Sequence, residues 1–219
     1  YGPWVKPTPE NWPRDVPWEG RGRMSRTVAD ALRLVLATGC RANEAAELPW
    51  SEIDLDAAEW ALPASRSKNK RANLIPLLPQ MVEMLRERKQ VSTSDYVFPS
   101  QWFYSGTANG REYKPHVNDK HLSQALAKAC ARLARIRVTP WTTQDVRRTV
   151  ETGMAAGKVP KEYRDRVLNH VDSSVGGKHY NMHDYADEKR EALEKWARRL
   201  ESMLTPERSN VVPLRGVAA

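Results

Sequence analysis

Cysteine is nearly absent from this chain: 219 residues hold two, Cys40 and Cys130, both in apolar, helix-like contexts and neither at metal-ligand spacing. That argues against a disulfide scaffold and leaves reduced, buried thiols of a cytoplasmic protein as the expectation. Long hydrophobic runs are missing too. No window approaches the ~18 apolar residues of a membrane span, so no membrane partner is expected. Residues 1–20 have no apolar stretch of the kind a signal peptide needs. There is no internal repeat, and no methionine at position 1, from which we expect a piece of something longer.

What is present is charge, mostly positive. Lys and Arg number 35 against 27 Asp and Glu, a net charge of +8, with a pI near 9.6. A polyanion suits such a balance, and double-stranded DNA carries the densest array of phosphates. Many basic proteins bind no nucleic acid, so charge alone leaves a generic basic structural protein open. At 40% apolar residues the chain is long enough for one sizeable core with appendages.

Pro3, Pro7, Pro9, Pro13 and Pro17 forbid a continuous helix near the start, so residues 1–24 are expected to form a linker or arm. The domain proper is expected over 25–205, and 206–219 as a mobile tail. Val28, Ala31, Leu32, Val35 and Leu36 recur at helical spacing and predict a helix over 25–38 that ends at Gly39. Asn43 is the expected N-cap of a short helix over 43–48. Ile53, Leu55, Trp60 and Leu62, then 73–77, predict short strands joined by the basic turn 65–71. Further helices are expected at 79–90, 119–135, 143–157, 160–169 and 184–203, with a loop over 92–116. The fold class is therefore α+β, mainly α-helical, with one small antiparallel sheet.

Four motifs stand in order along this framework. Thr38-Gly39-Cys40-Arg41-Ala42-Asn43-Glu44 lies between two helices. Ser67-Lys68-Asn69-Lys70-Arg71 leads into Leu74-Ile75-Pro76-Leu77. Thr139-Pro140-Trp141-Thr142-Thr143-Gln144-Asp145-Val146-Arg147-Arg148-Thr149 opens a helix, and Leu168-Asn169-His170 precedes Tyr180 by ten residues. Each is ordinary alone; four in order are specific. Together they resemble the catalytic domain of the tyrosine recombinase, or phage integrase, family, from about Arg26 to Leu200.

Some of the chemistry can be argued from residue types. Arginine suits a phosphodiester centre because its planar fork donates two hydrogen bonds and stays charged. Arg41 and Arg147, from different helices, are thus candidates to grip one phosphate. Glu44 either holds the Arg41 guanidinium or stabilises a helix N-terminus. Lys68 and its neighbours Arg66, Lys70 and Arg71 read either as a solvated cluster or, as we favour, as a general acid flanked by phosphate contacts, with Arg148 as a further DNA contact.

The resemblance implies more. Lys68, eight residues before Pro76, takes the place of the family's mobile catalytic lysine, which protonates the leaving 5′-hydroxyl. His170 takes the place of a histidine bonded to the scissile phosphate, and Tyr180 that of the nucleophile. Tyr185 is the rival for that role, and Tyr163 stands too early. A phenolic leaving group conserves the phosphodiester bond, so no metal and no cofactor is expected. The family also implies a 3′-phosphotyrosyl intermediate, integration or related recombination of phage or mobile-element DNA in a bacterium, a monomer in isolation and four protomers on paired sites. An N-terminal core-binding domain would precede residues 1–24.

One position departs from the family. Gln144 stands where a histidine is usual, and glutamine takes up no proton near neutrality. It holds the phosphate or tyrosine by geometry, or the enzyme is slow, or the domain binds DNA without cutting it; we favour the first. A type IB topoisomerase-like strand relaxation is the catalytic alternative. The C-terminal helix, with Ala192, Leu193, Trp196 and Leu200 on one face, packs on its own domain or on a neighbour, and the tail is expected to mediate protomer contacts.

Overall fold

A computed structural model describes residues 24–100, 114–133, 141–170 and 185–204. All but the last residue of the arm expected over 1–24, the tail, the end of the 119–135 helix and most of the 92–116 loop lie outside the described residues.

Helix α1 (Arg26–Thr38) starts where expected: Ser25 caps it, with Oγ accepting from the Val28 N–H at 3.3 Å. Gly39 ends it at φ +66°, its N–H donating to the Val35 carbonyl at 2.8 Å. A Cβ there would lie 2.8 Å from Leu168 Cδ2. Conformation and tertiary packing therefore both require glycine. Cys40 lies in the turn that follows, not in a helix, although it is buried as expected; Cys130 is buried within a later helix.

Helix α2 (Ala42–Ala46) corrects a second expectation, because its N-cap is Arg41 and Asn43 lies inside the helix. The Glu44 carboxylate reaches back to accept the Arg41 backbone N–H at 2.9 Å, so the cap is supplied from three residues ahead.

A short 3₁₀ turn (Trp50–Glu52) leads into β1 (Ile53–Asp54), β2 (Glu59–Leu62) and β3 (Asn73–Pro76). They form an antiparallel sheet in the order β1-β2-β3, with Trp60 opposite Ile53 and Ile75. Leu55 falls outside the strand. Asp54 Oδ1 accepts from the N–H groups of Asp56 and Ala57 at 2.9 and 2.8 Å, a side-chain turn that ends β1 after two residues.

Then come α3 (Pro79–Val91), α4 (Asp119–Leu133), α5 (Thr143–Ala156), α6 (Lys161–Val167) and α7 (Ala186–Leu204). A capping box opens α5, with Thr142 and Asp145 exchanging backbone and side-chain bonds at 3.2 and 2.9 Å. α6 stops two residues short of the expected 169, because Asn169 turns to φ +48°.

Among the described residues two apolar cores result. One packs α1, α2, α3 and α4 on the sheet around Leu34, Trp60, Leu85 and Phe98. The other gathers Val150, Met154, Val167 and Leu168 around Trp196 of α7, and Leu36 of α1 touches both. Trp196 Nε1 donates to the Leu36 carbonyl at 2.7 Å. Of the two arrangements open for the C-terminal helix, this face is therefore buried in its own domain. α7 is also held to the sheet: buried Lys189 donates to Asn73 Oδ1 and the Leu74 carbonyl, both at 2.9 Å. No described helix is long and apolar enough to cross a membrane.

Candidate active site

The four sequence motifs meet at one place. Arg147, on the first turns of α5, donates through Nη1 to the Gly39 carbonyl and through Nη2 to the Leu168 carbonyl. Its side chain thereby bridges the first and fourth motifs, 108 and 21 residues away. Burial, followed by the charge of Arg41 nearby, lowers its pKa, yet a guanidinium keeps its proton near neutrality. Two arginines are thus held close despite like charge, which an approaching anion would relieve.

Arg41 is fixed from two sides. Its Nη1 donates to Glu44 Oε1 at 2.9 Å and its Nη2 to Asn69 Oδ1 at 3.1 Å. Glu44 is 2% exposed, and its second oxygen takes the Arg41 backbone N–H. Both roles open to it from sequence, holding the guanidinium and closing the helix start, are filled at once. Arg41 and Arg147 each spend two of their five N–H donors on these bonds, which leaves the others for a ligand. Cys40, next to Arg41 in sequence and buried, has its thiol pushed up to about 12 by burial, so it stays neutral beside the pair.

The lysine turn joins β2 to β3. Lys68 and Lys70 are exposed, and Arg71 is half-buried. Arg66 differs from the phosphate contact expected of it: its Nε and Nη2 fork onto Glu52 at 2.7 and 2.8 Å, and Nη2 also reaches the Glu44 carbonyl at 3.2 Å. Its charge is directed into the protein because Glu52, fourteen residues earlier, lies beneath the turn.

On the fourth motif, the His170 N–H donates to the Asp165 carbonyl at 2.8 Å, while its Nδ1 lies 3.1 Å from Asp165 Oδ1. Burial alone would raise the Asp165 pKa, but bonds from Lys161 and His170 outweigh it and leave the carboxyl below its usual range. A carboxylate that orients one ring nitrogen leaves Nε2 to face a ligand. Gln144 is exposed on the first turn of α5, three residues before Arg147 and so on a shared face. Arg148 is exposed and paired with Asp145 at 3.0 Å.

Family membership is decided by comparison over the same stretch. The family model described as the phage integrase family matches residues 23–187. This chain belongs to the phage integrase family. Prophage integrase IntA of Escherichia coli (strain K12) is 30% identical over 165 residues, covering 74% of this chain and 36% of that protein. Prophage integrase IntZ of the same strain is 27% identical over 180 residues, covering 81% of this chain and 40% of that protein. The chain therefore spans well under half the length of either. The integrase from mycobacterium phage Brujita shares the fold, with a TM-score of 0.57 at 16% identity over 80% of this chain and 53% of that one.

Tyr180 lies outside the described residues. Its rival does not. Tyr185 is 8% exposed, its hydroxyl donates to Glu162 Oε1 at 2.9 Å, and the Arg166 guanidinium stacks 4.4 Å from its ring centroid. It is a packed side chain just before α7, its ring 6.5 Å from that of Tyr163, which packs against the core around Trp196.

Sequence reasoning missed Asn69, Asn169 and Asp165. Asp165 had a local signal, a carboxylate five residues before a motif histidine. The asparagines had none.

Proposed function

We propose that this chain is the catalytic domain of a site-specific tyrosine recombinase of phage or mobile-element DNA, active in the bacterial cytoplasm. The observation that supports it best is the double anchorage of Arg147 on Gly39 and Leu168, which ties the segments carrying Arg41 and His170 to the helix of Arg147. Arg41 and Arg147 hold the non-bridging oxygens of the scissile phosphate, with His170 Nε2 and Gln144 as further donors. The Tyr180 phenolate oxygen attacks phosphorus. The bond to the sugar 5′-oxygen breaks, and Lys68 gives that oxygen its proton. A 3′-phosphotyrosyl link remains, and the 5′-hydroxyl of a partner strand reverses the step on a new junction.

Gln144 acts here as a hydrogen-bonding group and His170 Nε2 already donates to the phosphate, so the tyrosine's proton leaves through water. Lys70, Arg71 and Arg148 lie along the flanking backbone as phosphate contacts. Exchange between two duplexes needs a cleaving protomer on each of four strands, hence a tetramer on paired sites.

The test is a nicked suicide duplex built on an end of the mobile element that carries the gene. The parent and Tyr185→Phe should form a covalent protein–DNA adduct, and Tyr180→Phe should not. No adduct from the parent would leave a DNA-binding domain without cleavage, the reading Gln144 would then favour. Relaxation of supercoils without joined products would favour the topoisomerase-like alternative.

A further inference from the structure

We propose that Asn69 and Asn169 are positioning residues that hold the Lys68 turn against the phosphate pocket, an inference that rests on the strand-cleavage reading above. The two asparagines are 100 residues apart and bonded to each other's segments. Asn69 Nδ2 donates to the Asn169 carbonyl, while its Oδ1 accepts from Arg41 Nη2 at 3.1 Å. Guanidinium only donates and a carbonyl only accepts, so no other orientation of the Asn69 amide satisfies both. Asn169 returns the grip: its Nδ2 donates to Ser67 Oγ at 3.1 Å, with a longer contact of 3.5 Å to the Arg71 carbonyl.

The residues on either side of Lys68 are therefore both tied to Asn169. Ser67 is 1% exposed, whereas Lys68 is exposed. A turn pinned at both flanks leaves the lysine side chain to swing from a fixed base. A long, flexible ammonium chain on a free hairpin would reach the leaving oxygen only in a fraction of turn conformations, and positioning of this kind is a large part of catalytic rate. Asn169 takes φ +48°, a conformation that asparagine tolerates better than most residues, and that bend brings its side chain back over the turn. The same bend sets the start of His170, so one clasp registers the acid on one side of the phosphate and a donor on the other.

The test separates the leaving-group step from everything else. Asn69→Asp keeps an acceptor for Arg41 and removes the donor to Asn169. Asn169→Gly accepts the positive φ and removes the grip on Ser67, so it folds even where the first variant does not. Each is assayed by single-turnover cleavage on the suicide duplex, and again on the same duplex with sulfur replacing the scissile 5′-oxygen. A thiolate leaves without a proton, so a defect in delivering one disappears.

On oxygen the expected loss is about 10- to 100-fold, part of the ~10²–10⁴ that general-acid catalysis contributes, and on sulfur less than about 3-fold. The double variant Lys68→Ala/Asn69→Asp should be no slower than Lys68→Ala. Equal defects on both duplexes, or no defect on oxygen, would overturn the clasp while leaving the recombinase reading intact. No adduct from the parent on either duplex would overturn both.

Discussion

Arg66, Lys68, Lys70 and Arg71 stand within six positions and share a charge, yet their surroundings give them different work. Arg66 shares the Glu52 carboxylate with Trp60 Nε1, which donates to it at 2.9 Å. Its side chain is 21% exposed and that of Glu52 9%. Removing one partner strands the other charge under the sheet, which costs ~3–5 kcal/mol in a fully buried pair. Arg66→Ala should therefore lower stability by about 2–3 kcal/mol, the partial exposure accounting for the reduction. Urea denaturation measures this. DNA affinity at matched folded fraction should keep the parent's salt dependence; unchanged stability with a shallower dependence would return Arg66 to the DNA.

At the scale of elements, the contact between α5 and α7 decides whether the C-terminal helix seats. Gly153 faces the Trp196 ring so closely that a Cβ would lie 2.0 Å from it. On an isolated helix Gly→Ala stabilises by ~1 kcal/mol. Here the clash dominates, because overpacking costs ~1–3 kcal/mol or more and a buried indole cannot step aside. Gly153→Ala should destabilise the domain by about that amount. In a Trp196→Ala background the same change should become neutral or stabilising, and a double-mutant cycle in urea reads the reversal. Lys189 ties α7 to β3 beside the lysine turn, so loosening α7 also frees that edge of the sheet.

For the whole molecule the controlling quantity is charge. Of the 35 Lys and Arg behind the net charge of +8, five face phosphates in the proposed complex: Arg41 and Arg147 share the scissile one, and Lys70, Arg71 and Arg148 take one each. Each neutralised phosphate contributes ~0.9 to the slope of log affinity against log salt, so four imply a slope of about −3.6 and roughly a 10²-fold loss between 50 and 200 mM salt. Fluorescence anisotropy with a labelled duplex measures it. A slope near zero would mean that the basic surface does not face DNA.

Much of this was legible in the chain. Apolar residues at helical spacing, Ser25 and Gly39 at the ends of α1, and β2 and β3 around a basic turn all arise from interactions between near neighbours, and such interactions leave a pattern in the sequence. Four motifs in order identified the family for a related reason, because the chemistry restricts residue type position by position. The placement of Arg66 on Glu52, the clasp between Asn69 and Asn169, and the anchorage of Arg147 on two carbonyls came only with the tertiary structure. Those bonds join polar groups far apart along the chain, and a backbone carbonyl is the same in every residue. No local pattern records which of them a folded side chain will meet.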